Sequence, residues 1–549
     1  MANFSQKSLP FQIETPLGQD AFFILSFEGT ETLSGLFEFT LQLGAPIGTT
    51  VDFAQLMGNE AGITLSYKQT VQRRIQGIIA EFASTHSDAS FDYYEMVLRP
   101  RLWLLSLNKQ SRIFQQQSAT QILGEVLNPV QGAIIEVLPQ PTSRNYCTQY
   151  RETDLAFFQR LCFEEGITHY WEHTSTNHQL ILTNNTTTNP SVGICEFNQT
   201  EGGSQDLQSI KSWKTKQVLV NSQVGIRDSH FELFNQSLTG SGSGPSQVMA
   251  GTVNLSVNSS PGPWQENQVS PSRYFDEVNA SGTKDPSILS NVYDVIQTRA
   301  QNMATAASCR VITAEGSSTC MNLVPGFHFV LEKHPTADGS WLVLELTHKA
   351  RQQGAFWNGE QANIQYENRF KAAPSSVNQK PWPPIARPVV GSVETAIVTG
   401  QTNQESNLDP FGRVQVRFWW DDPEASGHTS CWIRVAQFWA GQGYGAFFWP
   451  RVGHEVVVAF EHGDPDRPIV VGSVYNSNNL VPFDLPANSY LSGLKTKIQN
   501  GNVQENYHKM VFCDIPGREV ITIYAESMLV TTQEKQQIGR RPKFNTNVQ

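Results

Sequence analysis

His169-Tyr170-Trp171-Glu172-His173 spells H-x-x-E-H, the inverted zincin pattern. In that chemistry two histidines hold zinc from one face of a helix, and a third ligand comes from elsewhere. The flanks here are Gly166-Ile167-Thr168 and Thr174-Ser175, and Tyr170 and Trp171 favour strand. In a strand, residues four apart share a face but lie ~13 Å apart, too far for one ion. These five residues therefore read as a strand with aromatic packing and a polar rim, with no metal or cofactor assigned. Asp421, Asp422 and Glu424, and again Asp464 and Asp466, could be paired acid and base. Both groups sit beside prolines in turn sequences, where Asp commonly accepts from its own backbone. They read as turn residues, and no catalytic residue is assigned. His454 and His462 bracket an apolar segment and read as barrel histidines. The sequence contains no G-x-S-x-G elbow and no phosphate-loop motif.

Arg413, Arg417, Trp419 and Trp432 have the types of a single-strand clamp, cations for phosphates and indoles for bases. The charge balance opposes it. Lys and Arg total 39 and Asp and Glu 50, a net charge of −11, and no long basic block is present. Aromatics at strand spacing are more often core, and arginines on one face suit a subunit contact, so no nucleic-acid partner is expected. The 10% aromatic and 16% charged fractions exclude a globally disordered chain. With 549 residues, about three to five domains are expected. No apolar run approaches the ~20 residues of a spanning helix. The start, Met1 to Lys7, has no basic segment followed by an apolar stretch. The seven scattered cysteines form no C-x-x-C pair. Synthesis in the cytoplasm with free thiols is expected, with any exit by a route that reads no N-terminal signal.

The elements that position these residues read mostly as strands. Runs rich in Val, Ile, Phe, Tyr and Thr recur at 21–27, 36–43, 63–67, 93–98, 341–348 and 363–370. A helix is predicted over 153–165, acidic at its start and followed by Gly166, with Leu155, Phe158, Leu161 and Cys162 on its core face. A weaker helix covers 118–127, ended by Pro129. The Gly/Ser stretch 238–246 reads as a linker or an exposed loop of a larger barrel. Five prolines between 372 and 388 mark a semi-rigid spacer and a domain boundary. Beyond it, Val414, Val416, Phe418 and Trp420 alternate with Arg413, Gln415 and Arg417. Segments 456–460 and 469–474 flank a tight turn, suggesting a small closed barrel. In the tail, 519–530 alternates Ile521, Ile523 and Ala525 with Thr522, Tyr524 and Glu526. One or two such strands cannot bury an apolar face alone and need a partner, most simply two more copies.

Gln149-Tyr150-Arg151-Glu152-Thr153-Asp154-Leu155-Ala156-Phe157, then Glu164-Glu165-Gly166-Ile167 and an aromatic strand ending in Glu172-His173, resembles the signature of the VgrG family. These are the spike proteins of type VI secretion systems. Leu98-Arg99-Pro100-Arg101-Leu102-Trp103 and Arg112-Ile113-Phe114 fit the same pattern upstream. Downstream, Asp409-Pro410-Phe411-Gly412-Arg413-Val414, Trp432-Ile433-Arg434-Val435 and Trp449-Pro450-Arg451-Val452-Gly453-His454 resemble its barrel domain. So does Gly463-Asp464-Pro465-Asp466-Arg467-Pro468, and Asn506-Tyr507-His508-Lys509-Met510 resembles the start of its needle. The likeness runs through nearly the whole chain, in order.

The resemblance implies a mainly β fold. Residues 1–371 would be a phage-hub-like region of two β-barrels with few helices, and 372–388 the Pro-rich linker. An OB-fold barrel would occupy 389–478. Residues 487–549 would open a triple-stranded, trimeric β-helix. The Val-Gly repeats of the family's needle are missing, so the needle is expected to be a stub or the chain truncated. The implied function is that of a non-enzymatic homotrimeric spike of a contractile injection machine. It would dock on a hexameric, Hcp-like tube protein, pierce the target membrane mechanically and deliver effectors, and a PAAR-repeat protein would cap the needle. It would be made in the bacterial cytoplasm and leave through the type VI apparatus. A phage tail hub or spike is the alternative within the same machinery. A zinc-dependent or cell-wall hydrolase is the rival from another class.

Overall fold

Apolar alternation in the first hundred residues builds six antiparallel strands. In sheet order they are Phe11–Glu14, Glu60–Tyr67, Thr70–Ser87, Phe91–Arg99, Glu38–Pro46 and Phe23–Thr32. This computed structural model describes residues 5–525 apart from 200–207, 221–222, 234, 258–264, 270–291, 354–362, 384, 422–428, 503 and 506. Asp422, Glu424, Pro384, Asn506 and the tail from 526 onward thus lie outside the described residues. Phe23–Thr32 pairs onward with Gly339–Gln353, and the sheet continues through Asn363–Pro374, Ile312–Ser318 and Ile210–Gln217. Ser191–Glu196 and His328–Glu332 bring it to twelve strands. One sheet thereby serves two apolar cores, one around Phe11, Phe37, Phe39 and Leu41, the other around Phe329, Trp341 and Phe370. All six runs expected as strands fall in this sheet.

Four α-helices are described. The single turn α1 (Phe53–Leu56) is capped by Asp52. Helix α2 (Ala119–Val126) starts with a capping box between Ser118 and Gln121. Helix α3 (Asp154–Glu165) follows Thr153, whose Oγ1 accepts from Ala156 N–H, and ends at Gly166 with φ +66°. Helix α4 (Val292–Ser308) has no counterpart in the sequence reading. It packs on the Gly/Ser stretch, most of which is strand, with only 244–246 left as a connecting loop. Leu238–Ser243 is a strand, with Leu238, Gly240 and Gly242 buried. A Cβ at Gly240 would stand 2.6 Å from the Ile296 carbonyl oxygen, so glycine lets the helix backbone lie directly on the strand. Ile296, Ala300 and Ala304 supply the facing stripe.

After the hub comes a five-stranded sheet in the order Gln415–Phe418, Glu394–Thr399, Glu455–Phe460, Pro468–Val474, Arg434–Val435. A bridge between Val414 and Ile433 joins the two outer segments and closes it. The inward residues include Val414, Val416 and Phe418, as the alternation requires, with Ala396, Val398, Val456, Val458 and Val470. Trp420 stacks on Phe418 at 5.0 Å. The Pro-rich stretch begins inside the strand Asn363–Pro374 and is bonded back to the hub. Asn378 Oδ1 accepts from Thr186 N–H at 2.9 Å, and Lys380 Nζ donates to the carbonyls of Gly166 (3.0 Å) and Asn184 (2.8 Å). Beyond the barrel, Leu491–Lys495, Lys509–Cys513 and Val520–Tyr524 form an antiparallel three-stranded sheet.

Candidate functional site: the joint between hub and barrel

The H-x-x-E-H residues lie on the strand Thr168–His173, not on a helix. His173 faces His178 across the neighbouring strand. His173 Nδ1 accepts the Gln76 N–H and His178 Nε2 the Arg101 N–H, both at 3.0 Å. His169 packs edge-on against Phe158 at 5.3 Å. Burial lowers the pKa of His169 and of His173 to about 4. It lowers that of His178 to about 3, with the neighbouring His173 and Arg101 adding to the effect. These rings are therefore neutral at pH 7, and two of them accept backbone hydrogen bonds that tie this strand pair to the rest of the hub.

The proposed phosphate and base contacts do not converge. Arg413 is buried, with Nε on Asp409 Oδ2 at 2.6 Å and its guanidinium over Phe231 and Phe411. Trp419 is exposed and donates its indole N–H to Thr395 Oγ1 at 3.0 Å. Arg417 and Trp432 are half-buried. His454 Nδ1 accepts from Arg451 N–H at 3.3 Å, and His462 occupies a left-handed turn position, φ +54°.

Asp464 and Asp466 do more than shape their turn. Asp464 Oδ1 accepts from Asp466 N–H at 3.0 Å, the local turn contact. Asp466 Oδ1 then reaches the hub strand Ser143–Thr153 and accepts Thr148 N–H at 2.6 Å. Asp464 Oδ2 meets Arg387 at 3.2 Å, and the same guanidinium holds Glu164 of α3 at 3.1 Å. Behind Glu164 lies Arg144 at 2.8 Å and the fully buried Arg160 at 3.5 Å. Arg160 also donates to Thr148 O at 3.1 Å and to Glu152 through Nε at 3.2 Å. A second contact uses a hub loop. Asp228 pairs with Arg467 at 3.4 Å, and Phe231 lies 5.2 Å from both Arg413 and Arg434. Burial and the three arginines 467, 434 and 413 lower the His230 pKa to about 4. Tyr150 donates its hydroxyl to Glu394, and this burial and hydrogen bond push its pKa up to about 12.

The segment 144–166 is thus the main hub half of a joint, and Gly463–Pro468 is the main barrel half. Sequence reasoning missed Asp228, His230, Phe231 and Arg387, because their partners are brought together only by the fold. It also missed a buried ionic cluster that lies elsewhere. There Glu31 takes Arg73 Nη2 at 2.6 Å and His348 Nε2 at 2.7 Å, and His348 Nδ1 meets the Tyr366 hydroxyl at 2.9 Å. Burial raises the Glu31 pKa, but Arg73 and His348 outweigh it and hold it at about 2. Glu31, Arg73 and His348 are almost wholly buried, so no substrate reaches them. They staple the Phe23–Thr32 and Gly339–Gln353 seam that links the hub's two cores.

Residues 30–354 match the phage tail baseplate hub (GPD) family, and 395–475 match the type VI secretion system/phage-baseplate injector OB domain. The spike protein VgrG3 of Vibrio cholerae is 30% identical over 94% of this chain. VgrG5 of Pseudomonas aeruginosa is 31% identical over 92% of it. The chain spans half the length of the Vibrio protein and 62% of the Pseudomonas one. Among solved structures, the E. coli c3393 protein is described as a type VI secretion component similar to T4 tail proteins gp27 and gp5. It matches with a TM-score of 0.58 and 19% identity, over 84% of this chain and all of that one. The hub sheet, the joined OB barrel and these matches agree, and the chain belongs to the VgrG spike-protein family of type VI secretion, within the phage tail baseplate hub fold.

Proposed function

We propose that this chain works as a homotrimeric, non-enzymatic spike at the tip of a contractile injection machine. The tail sheet carries this reading. Its register sets Leu494, Met510 and Ile523 in one row and Phe512 beside Ile521 in the next, all on one face. Ile521 and Ile523 are 59% and 61% exposed, and the other three are exposed as well. Water solvates such a stripe poorly, and a three-stranded sheet with an open apolar face is marginal alone. Three copies wound about one axis would turn those faces inward and pair the edges. A second exposed apolar patch, Phe438, Trp439, Tyr444, Phe447 and Phe448 on the barrel, supports the same reading.

In this reading the hub ring docks on a hexameric tube, and the barrel and tail lead through the target envelope. Effectors and a PAAR-type cap travel with it, and the trimer leaves its own cell through the same apparatus. Sheath contraction supplies the work, and the chain's part is to stay folded under load. The mass in solution tests it. Sedimentation should give three times 61.2 kDa. A stable monomer whose tail strands are protected from hydrogen exchange would overturn it.

A further inference from the structure

Among the described residues, Leu238–Ser243 ends its three-stranded sheet, pairing with Gln223–Asp228 on one side only. The other side would leave the N–H and C=O groups of Ser241 and Ser243 open, as on any edge strand. Two glutamines of α4 occupy them. Gln297 Oε1 accepts Ser241 N–H at 3.1 Å, and its amide donates to Ser241 O. Gln301 Oε1 accepts Ser243 N–H at 3.3 Å, and its Nε2 donates to Ser243 O at 2.9 Å. Each carboxamide thus makes both bonds that a neighbouring strand's peptide group would make. The match is geometric. Four residues of helix rise ~6 Å, and two residues of strand advance ~6.6 Å. Gly240 and Gly242 bring the helix close enough for the side chains to reach around the edge. A groove of about 610 Å³ lies across the strand pair at this point, lined by residues 223–227 of the inner strand as well as by Ser241, Ser243, Gln297 and Gln301.

We propose that Gln297 and Gln301 form a side-chain edge guard, which stands in for a missing strand and stops a second copy of this chain from adding to the Leu238–Ser243 edge. The guard does not depend on the spike reading, since it acts within one chain. Hydrogen exchange and mass on the full chain test it. In the unsubstituted protein, the Ser241 and Ser243 amides should be protected. In Gln297→Leu/Gln301→Leu they should exchange at least about tenfold faster at low concentration. The mass of this variant should also rise above that of the unsubstituted protein as concentration increases. Gln297→Lys/Gln301→Lys should free the same amides without adding mass, because an ammonium cannot accept the serine N–H groups and charge on an edge repels a second edge. Should the leucine pair unseat α4, seen as lost protection across the helix, the lysine pair decides through the two serine amides. Protection unchanged in both variants overturns the proposal, as does a leucine pair with freed amides and no growth in mass.

Discussion

The joint and the tail sheet are opposite solutions to holding a shape. At the joint, Arg160, Glu164, Arg387 and Asp466 are buried or nearly so, and each finds its counter-charge or hydrogen-bond partner within one chain. In the tail, Met510, Phe512, Ile521 and Ile523 lie open on one face. The first region is complete in a single copy. The second has the strand alternation of a core and no core to join. The first region holds two domains of one chain together, and the second is where the copies would meet in the proposed trimer.

The sharpest way to break this contrast is in the tail. Ile521→Asp with Ile523→Asp should convert the proposed trimer to monomer by sedimentation, with the thermal transition of the hub little changed. A trimer that survives would mean the tail is not the assembly surface. At the joint, Arg160→Leu leaves Glu152 without its cation and Thr148 O without its guanidinium donor, while Glu164 keeps Arg144 and Arg387. It should cost about 3–5 kcal/mol in denaturant unfolding, and a loss under 1 kcal/mol would remove the joint from the stabilising core. Acid should act on the hub and joint and leave the tail sheet aside. His169, His173 and His230 have folded pKa values of about 4 against an ordinary 6.5, so the unfolded chain binds more protons between those values. Stability is then full above pH 6.5 and falls on acidification, on the order of 1–2 kcal/mol per histidine by pH 5. Replacing His230 by Asn should flatten part of that slope. The smallest effect belongs to an exposed pair. Lys349→Ala removes a 3.0 Å contact to Glu28 between two largely exposed side chains and should change stability by less than about 0.5 kcal/mol.

Local signals were readable where one segment carries its own instructions. Thr153, Asp154 and Gly166 bound α3 by cap and left-handed turn, and the alternation from Val414 to Phe418 fixes which residues face the barrel core. The turn reading of Asp464 was likewise visible in its prolines. What stayed hidden depends on two distant segments fitting each other. Helix α4 turns a stripe of Ile296 and small alanines toward its partner, a weak apolar signal, and the glycines that receive it look like a flexible linker. The second task of Asp466 is set by Thr148, 318 residues earlier. Arg413 stood on the polar face of a clean alternation, yet the fold buries it beneath Phe231 of the hub.

The connecting segment has a mechanical consequence. Lys380 is anchored to the end of α3, Arg387 clasps Glu164 of the same helix, and Asp466 grips the strand that leads into it. Pulling the barrel away from α3 would have to break the Arg387 and Asp466 fastenings. In the proposed spike, axial thrust would pass from barrel to hub through these fastenings as well as through the covalent tether, like weight through a braced bracket.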